Sequence, residues 1–536
     1  MKCAGIFGKI ALTEFYSSYG YFYYSKTEEM YMRVSGILLG ISSLWGDYGI
    51  GKMGKEAREF VDFLRKSEQH YWQILPLSPT GYGDSPYQSC SVYAGNPYFI
   101  DFETLRKDGL LKPSEYKTVQ YGDNPRYINY GMLYETVWDT LRIAFSRFTP
   151  DDDYKAFLNN QARWVENYAL FMALKDENGG LPWFEWDKPL KMAEPAAIAE
   201  AKKRLSDEIN FYIFVQYEFY KQWYALKKYA NDKGIEIIGD MPIYCAHDSV
   251  DVWLNPELFE LDEDRNPVHV AGCPPDDYAT KGQLWGNPLY DWKKMQTDGY
   301  NWWVQRIAHT TDIYDVVRID HFRGFAGYYS IPYGDEDAVN GTWEKGPGME
   351  LFNSANYWLG KKRIIAEDLG LITPDVVKLL KDTEYPGMKA LQFAFDPSGK
   401  SDYLPCNYTS TGYVAYVSTH DSDTAKGWAD GLSGKALNFA KKYLGVTSKK
   451  EIPDALIRLG WSSTADVVIA QPQDFLELGN EARINVPSTV GTNWRWRISK
   501  DELSPELSRR LRTLTETFNR VPEYPVNKKE PEKDKK

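Results

Sequence analysis

Short runs of branched, apolar residues recur along the chain, and four of them stop at an acid. They are Ile237-Ile238-Gly239-Asp240, Val316-Val317-Arg318-Ile319-Asp320, Ile364-Ile365-Ala366-Glu367-Asp368 and Val414-Ala415-Tyr416-Val417-Ser418-Thr419-His420-Asp421. Such runs read as parallel strands buried on both faces. In parallel α/β barrels the functional groups sit where the strands end, so the pattern predicts acids converging on one face. Eight strand–loop–helix units share about 250 residues in such a barrel, roughly 30 each. Asp320 to Glu367 is then one unit with a long loop. Glu367 to Asp421 leaves room for two, with the run from Met388 to Phe395, ending at Asp396, as the strand between. The spacing predicts strands four to seven of a (β/α)8 barrel.

The stretch from about 125 to 235 has a different texture. Tyr168-Ala169-Leu170-Phe171-Met172-Ala173-Leu174 and Phe214-Val215-Gln216-Tyr217-Glu218-Phe219-Tyr220 carry apolar and aromatic residues at helical spacing. An aromatic stripe of this kind is more often core than ligand site, so no catalytic residue is expected there. A chain of 536 residues exceeds one barrel and leaves room for inserted or appended helices.

A lone strand-end Asp usually caps a helix or pairs with a nearby Arg. Arg318 changes that reading for Asp320. Two residues apart on one strand, they point to the same side, and a guanidinium there keeps the carboxylate ionised and oriented. A nucleophile needs both.

Val317-Arg318-Ile319-Asp320-His321-Phe322-Arg323-Gly324, Ile365-Ala366-Glu367-Asp368-Leu369-Gly370 and Ser418-Thr419-His420-Asp421 resemble three strands of the amylomaltases, or disproportionating enzymes. These are 4-α-glucanotransferases related to the α-amylases. Asp84-Ser85-Pro86-Tyr87-Gln88, Gly95-Asn96-Pro97-Tyr98, Trp285-Gly286-Asn287-Pro288-Leu289-Tyr290 and Asn493-Trp494-Arg495-Trp496-Arg497 follow in that family's order, from about residue 33 to 498. The resemblance implies a (β/α)8 TIM barrel with helix-rich inserted subdomains. Its catalytic barrel would span 34–500, with the helical insertion at about 125–235. Residues 1–33 would be a non-family extension, and 501–536 a C-terminal helix and disordered charged tail.

The resemblance also implies a chemistry: retaining transfer of an α-1,4-glucan segment to the 4-hydroxyl of an acceptor glucose or glucan. Asp320 would be the nucleophile, Glu367 the general acid and then base, and Asp421 the acid that stabilises the transition state. Crowding by Asp320 and Asp421 would raise Glu367 and keep it protonated. Arg318, Asp240, His420 and Asp396 would surround the sugar, the last two bonding its hydroxyls. The ordinary reading of a His beside an Asp is a satisfied buried pair.

Aromatic residues make up 15% of the chain, and flat rings stack on the apolar faces of glucose units. The segment 272–288 is too rich in Gly, Pro and polar residues for strand or helix, and a long structureless loop is usually functional. The resemblance implies that this loop leans over the acceptor side of the cleft, so Tyr87, Trp285 and Tyr290 are read as cleft residues, with core packing as the alternative for each.

A net charge of −12 argues against a nucleic-acid partner and suits a neutral polymer. The five cysteines form no CxxC pair, so neither a zinc site nor a disulfide framework is indicated, and a reducing cytoplasm is expected. No cofactor, metal or membrane association is expected. Residues 1–33 lack the pattern of a signal peptide, and translation starting at Met30 or Met32 would remove nearly all of them. Two other functions stay open. An α-glucan hydrolase uses the same three acids with water as acceptor, and a silent glucan-binding protein needs none of them.

Overall fold

The computed structural model describes residues 33–275 and 279–524. Its strands, in chain order, are β1 (Val34–Leu38), β2 (Tyr71–Gln73), β3 (Glu236–Met241), β4 (His269–Cys273), β5 (Gln283–Pro288), β6 (Val316–Ile319), β7 (Gly327–Pro332), β8 (Thr342–Lys345), β9 (Ile364–Ala366), β10 (Gly387–Ala390), β11 (Tyr413–Tyr416) and β12 (Val467–Ala470). Strands β1, β2, β3, β6, β9, β10, β11 and β12 pair in parallel, in that order, and β12 closes onto β1. This is the (β/α)8 barrel expected from the sequence, and β6, β9, β10 and β11 are its fourth to seventh strands.

Alternation along these strands sorts side chains between two cores. Val34, Leu38, Tyr71, Ile238, Val316, Ile365, Met388, Val414 and Ile469 fill the barrel interior. Trp72, Ile237, Val317, Ile319 and Val468 face the surrounding helices. Because side chains two apart share a face, Asp240 follows Ile238 inward, Arg318 and Asp320 follow Val316, and Glu367 follows Ile365. Gly36 is required where the interior is tightest. A Cβ there would lie 2.6 Å from the Tyr71 Cβ and 2.8 Å from Ile469 Cδ1.

Between β2 and β3 the chain runs through helices Tyr130–Phe145, Asp152–Gln161, Val165–Glu177, Pro195–Arg204 and Ser206–Asp232. Aromatic pairs such as Trp138–Phe211, Phe145–Phe214 and Phe148–Tyr217 pack these helices together. The last helix also steadies the loop that carries Tyr87. Gln216 accepts from the Gly95 N–H at 2.8 Å and donates to the Gly95 carbonyl at 2.9 Å.

Three features depart from the sequence reading. The run through Met388 is strand only to Ala390, after which Leu391–Ala394 turns as a 3-10 helix. The segment 272–288 is not structureless: its ends belong to β4 and β5 in a four-stranded antiparallel sheet, β5-β4-β7-β8. Backbone pairing with β7 overrode its Gly and polar content. Arg33, assigned to the extension, is tied into the fold by bonds from Nη1 to the Ser463 carbonyl at 2.7 Å and from Nε to that of Phe518 at 3.2 Å. The remainder of the extension, residues 1–32, and the tail from 525 lie outside the described residues. Among the described residues no helix is long and apolar enough to cross a membrane.

Candidate active site

Asp240 and Arg318 are register partners on β3 and β6, and both are buried in the barrel mouth. Arg318 Nη1 donates to Asp240 Oδ2 at 2.6 Å, and its Nη2 lies 3.3 Å from Asp320 Oδ1. One guanidinium thus joins the ends of two strands. The Tyr87 hydroxyl donates to the same Asp240 oxygen at 2.7 Å and stands 2.8 Å from His420 Nε2. With the Tyr87 proton used on Asp240, the imidazole Nε2 carries the hydrogen and donates. It also faces Asp421 Oδ2 at 3.1 Å. The Tyr87 and His420 rings stack at 5.5 Å. His420 Nδ1 and Asp240 Oδ1 are buried without a partner among the described residues.

Glu367 begins where β9 ends. Ile319 and Ala366 are aligned, so Asp320 and Glu367 leave neighbouring strands side by side. His321 turns with φ +48°, which aims its N–H at Glu367 Oε2, 2.7 Å away. The Leu369 N–H donates to Oε1 at 3.1 Å. Each carboxyl oxygen therefore accepts one backbone bond and keeps a second lone pair.

The charges differ among the three acids. Burial pushes Asp320 above the ordinary carboxylate range; Arg318 opposes it, and Asp240, Glu367 and Asp421 add to it. Burial is also the leading cause of the rise at Glu367, against Arg318 and the two backbone bonds. Burial thus does what the sequence reading assigned to crowding. At Asp421 burial acts upward too, but His420, Asn485 and Arg318 overcome it and hold the carboxyl well below its usual range. At His420 burial lowers the imidazole, and the Asp421 carboxylate outweighs it, so the net shift is upward.

The sequence-derived residues thus separate. Asp240, Arg318, Asp320, Glu367, His420, Asp421 and Tyr87 meet at the barrel mouth. Trp285 on β5 joins them through His321, whose ring it meets edge-on at 4.8 Å. Tyr290 does not: it is 1% exposed, donates to the Ile243 carbonyl at 2.8 Å and packs among Trp292, Trp302 and Trp303. Asp396 makes no hydrogen bond to the side chains of this group among the described residues. It lies exposed past the 3-10 turn, accepting from the Ser398 N–H at 2.7 Å.

Sequence reasoning missed Asn485, which donates to Asp421 Oδ1 at 2.6 Å, and Arg483, which donates to the Asp421 carbonyl at 2.6 Å. Both follow β12, and no local pattern marks them. Among the described residues no group of three His, Cys, Asp or Glu side chains could hold a metal ion.

Tyr87→Phe tests the network. It removes one bond to a buried carboxylate and one from a buried imidazole, a loss of about 1–3 kcal/mol. The expected result is a fall of roughly tenfold or more in kcat/KM with the melting temperature nearly unchanged. An unchanged kcat/KM would mean that the hydroxyl does not position the site.

A family described as 4-alpha-glucanotransferase matches residues 39–503. A 4-alpha-glucanotransferase of Clostridium butyricum is 46% identical over 90% of this chain and 99% of its own length. One of Thermus thermophilus is 45% identical over 91% and 99%. The solved amylomaltase of Streptococcus agalactiae, in complex with acarbose, superposes with a TM-score of 0.89 at 41% identity, covering 91% of this chain and all of its own. With its barrel, its acids and this breadth of similarity, the chain belongs to the 4-alpha-glucanotransferase family.

Proposed function

We propose that this member of the family transfers α-1,4-glucan segments by a retaining double displacement. Asp320 attacks the anomeric carbon while Glu367 gives its proton to the departing glycosidic oxygen. The covalent glycosyl-enzyme is then opened by the 4-hydroxyl of a second glucan or glucose, whose proton returns to Glu367. Asp421, held ionised by His420, Asn485 and Arg318, offsets the positive charge that develops on the ring, and His420 hydrogen-bonds a sugar hydroxyl.

The observation that carries this reading is the alignment of Ile319 with Ala366. Neighbouring strands stand about 4.8 Å apart, and a retaining pair of carboxyls needs about 5–5.5 Å. Arg318, bound to Asp240 and 3.3 Å from Asp320, favours the anion on the nucleophile. The free lone pairs of Glu367 give a proton somewhere to sit. The test is to incubate the protein with maltotriose alone. Glucose and longer chains at constant reducing ends support transfer. Rising reducing ends with only short products would mean a hydrolase, and no change at all a silent binder.

A pH profile follows from the same pair. Transfer needs one proton shared between Asp320 and Glu367. Acidification adds a second and silences the nucleophile; alkalinisation removes the first and silences the acid. Because burial raises both groups, the alkaline limb of kcat/KM should lie above the free glutamic value of about 4.3. A rate that rises steadily through that limb would contradict the assignment of Glu367. The proposed setting is the cytoplasm. Among the described residues Cys90, Cys245 and Cys406 form no disulfide, as a reducing compartment favours.

A further inference from the structure

Trp343 on β8 is not used by the chemistry above. It is 40% exposed, although its ring lies over the Arg323 guanidinium, 3.7 Å from the ring centroid. Arg323 is itself buried and donates from Nη1 to the Leu371 carbonyl at 2.7 Å. Leu371 and Ile372, next to that carbonyl on the loop after Glu367, are 58% and 36% exposed. Arg323 lies three residues past Asp320, a chain reach of roughly 11 Å at most, and Leu371 follows Glu367 by four. One guanidinium therefore ties an exposed indole to the loop of the proposed acid. The strand bearing the indole is held in turn, since the N–H groups of Gly346 and Gly348 donate to the carbonyls of Ala326 and Phe325 at 2.9 and 2.8 Å.

The position of this indole in the barrel says which part of a substrate it meets. Tyr87 and His420 gather around Asp240 on the β3 side of Asp320, whereas Glu367 stands on the β9 side. The departing oxygen, and later the attacking hydroxyl, must be on the side of Glu367. A chain attached to that oxygen leaves over the connection between β6 and β9, and β8 is part of that connection. Three apolar residues make too small a patch for a protein partner, which covers about 800 Å². They match the C–H face of a sugar ring, on which an indole stacks.

We propose that Trp343, braced by Arg323, is a stacking platform for the acceptor glucan, binding glucose units beyond the one whose 4-hydroxyl reacts. The proposal rests on the transfer reading above. It is tested with amylose as donor and radiolabelled glucose, maltotriose or maltohexaose as acceptor, comparing wild type, Trp343→Ala and Trp343→Phe. The expected result is a KM for maltohexaose raised about 3- to 10-fold in the Ala variant, with glucose unaffected and the Phe variant close to wild type. Equal values at every acceptor length would overturn it. So would an equal loss at every length with a lower melting temperature, which would leave Trp343 as packing for Arg323. A wild-type protein that frees reducing ends without extending any acceptor would instead remove the transfer reading itself.

Discussion

Asp320→Asn is expected to lower transfer by on the order of 10⁴ to 10⁶-fold while the protein stays folded. The amide cannot form the covalent bond to the anomeric carbon that divides the reaction into two steps. The fold does not depend on the charge, because Arg318 keeps its shorter bond to Asp240 at 2.6 Å. Removing one carboxylate from a group that includes Asp240, Glu367 and Asp421 also relieves repulsion, so the melting temperature should hold or rise. Rate assays and intact-mass measurement during turnover check this. A glycosyl adduct should be trapped on the wild type and absent from the variant. A variant rate within tenfold of wild type would mean that another group attacks.

Glu367→Gln is expected to cost about 10²- to 10⁴-fold with ordinary glucans, the usual contribution of a positioned acid or base. A glutamine oxygen still accepts one backbone N–H, from His321 or Leu369, while its amide faces the other donor. A small loss of stability should accompany the loss of rate. The variant carries a signature that a damaged fold would not. A donor with a fluoride leaving group departs without a proton, so the first step should proceed and release a burst of fluoride matching the enzyme present. The second step still needs a base, and the glycosyl-enzyme should accumulate. If fluoride donors suffer as much as glucans, Glu367 acts only by supporting the site.

The acids Asp320 and Glu367 were legible in the sequence because they end apolar runs, and where a strand ends is a local property. The rule is less direct at Asp396. Its run is strand only to Ala390, and the turn Leu391–Ala394 separates the acid from the strand end and leaves it exposed. Tyr290 was read as a cleft residue from its motif, but a motif does not say which way a ring points. Its hydroxyl braces the Ile243 carbonyl from within the core. The sheet β5-β4-β7-β8 was invisible because strand pairing, rather than residue preference, makes its first two strands.

The sequence alone determined the fourth to seventh strands of the barrel, the acids that end them and the parity that puts Arg318 and Asp320 on one side of a strand. Those features depend on neighbours a few residues away, which apolar spacing and the period of two record directly. The tertiary structure alone decided which partner each charge meets. Tyr87 reaches His420 across 333 residues and Asp240 across 153, and Asn485 reaches Asp421 across 64. Burial also depends on the closed barrel, and burial is what lifts Glu367. Hydrogen bonds and desolvation act over a few ångströms of space, and barrel closure, unlike the order of residues along the chain, sets those distances.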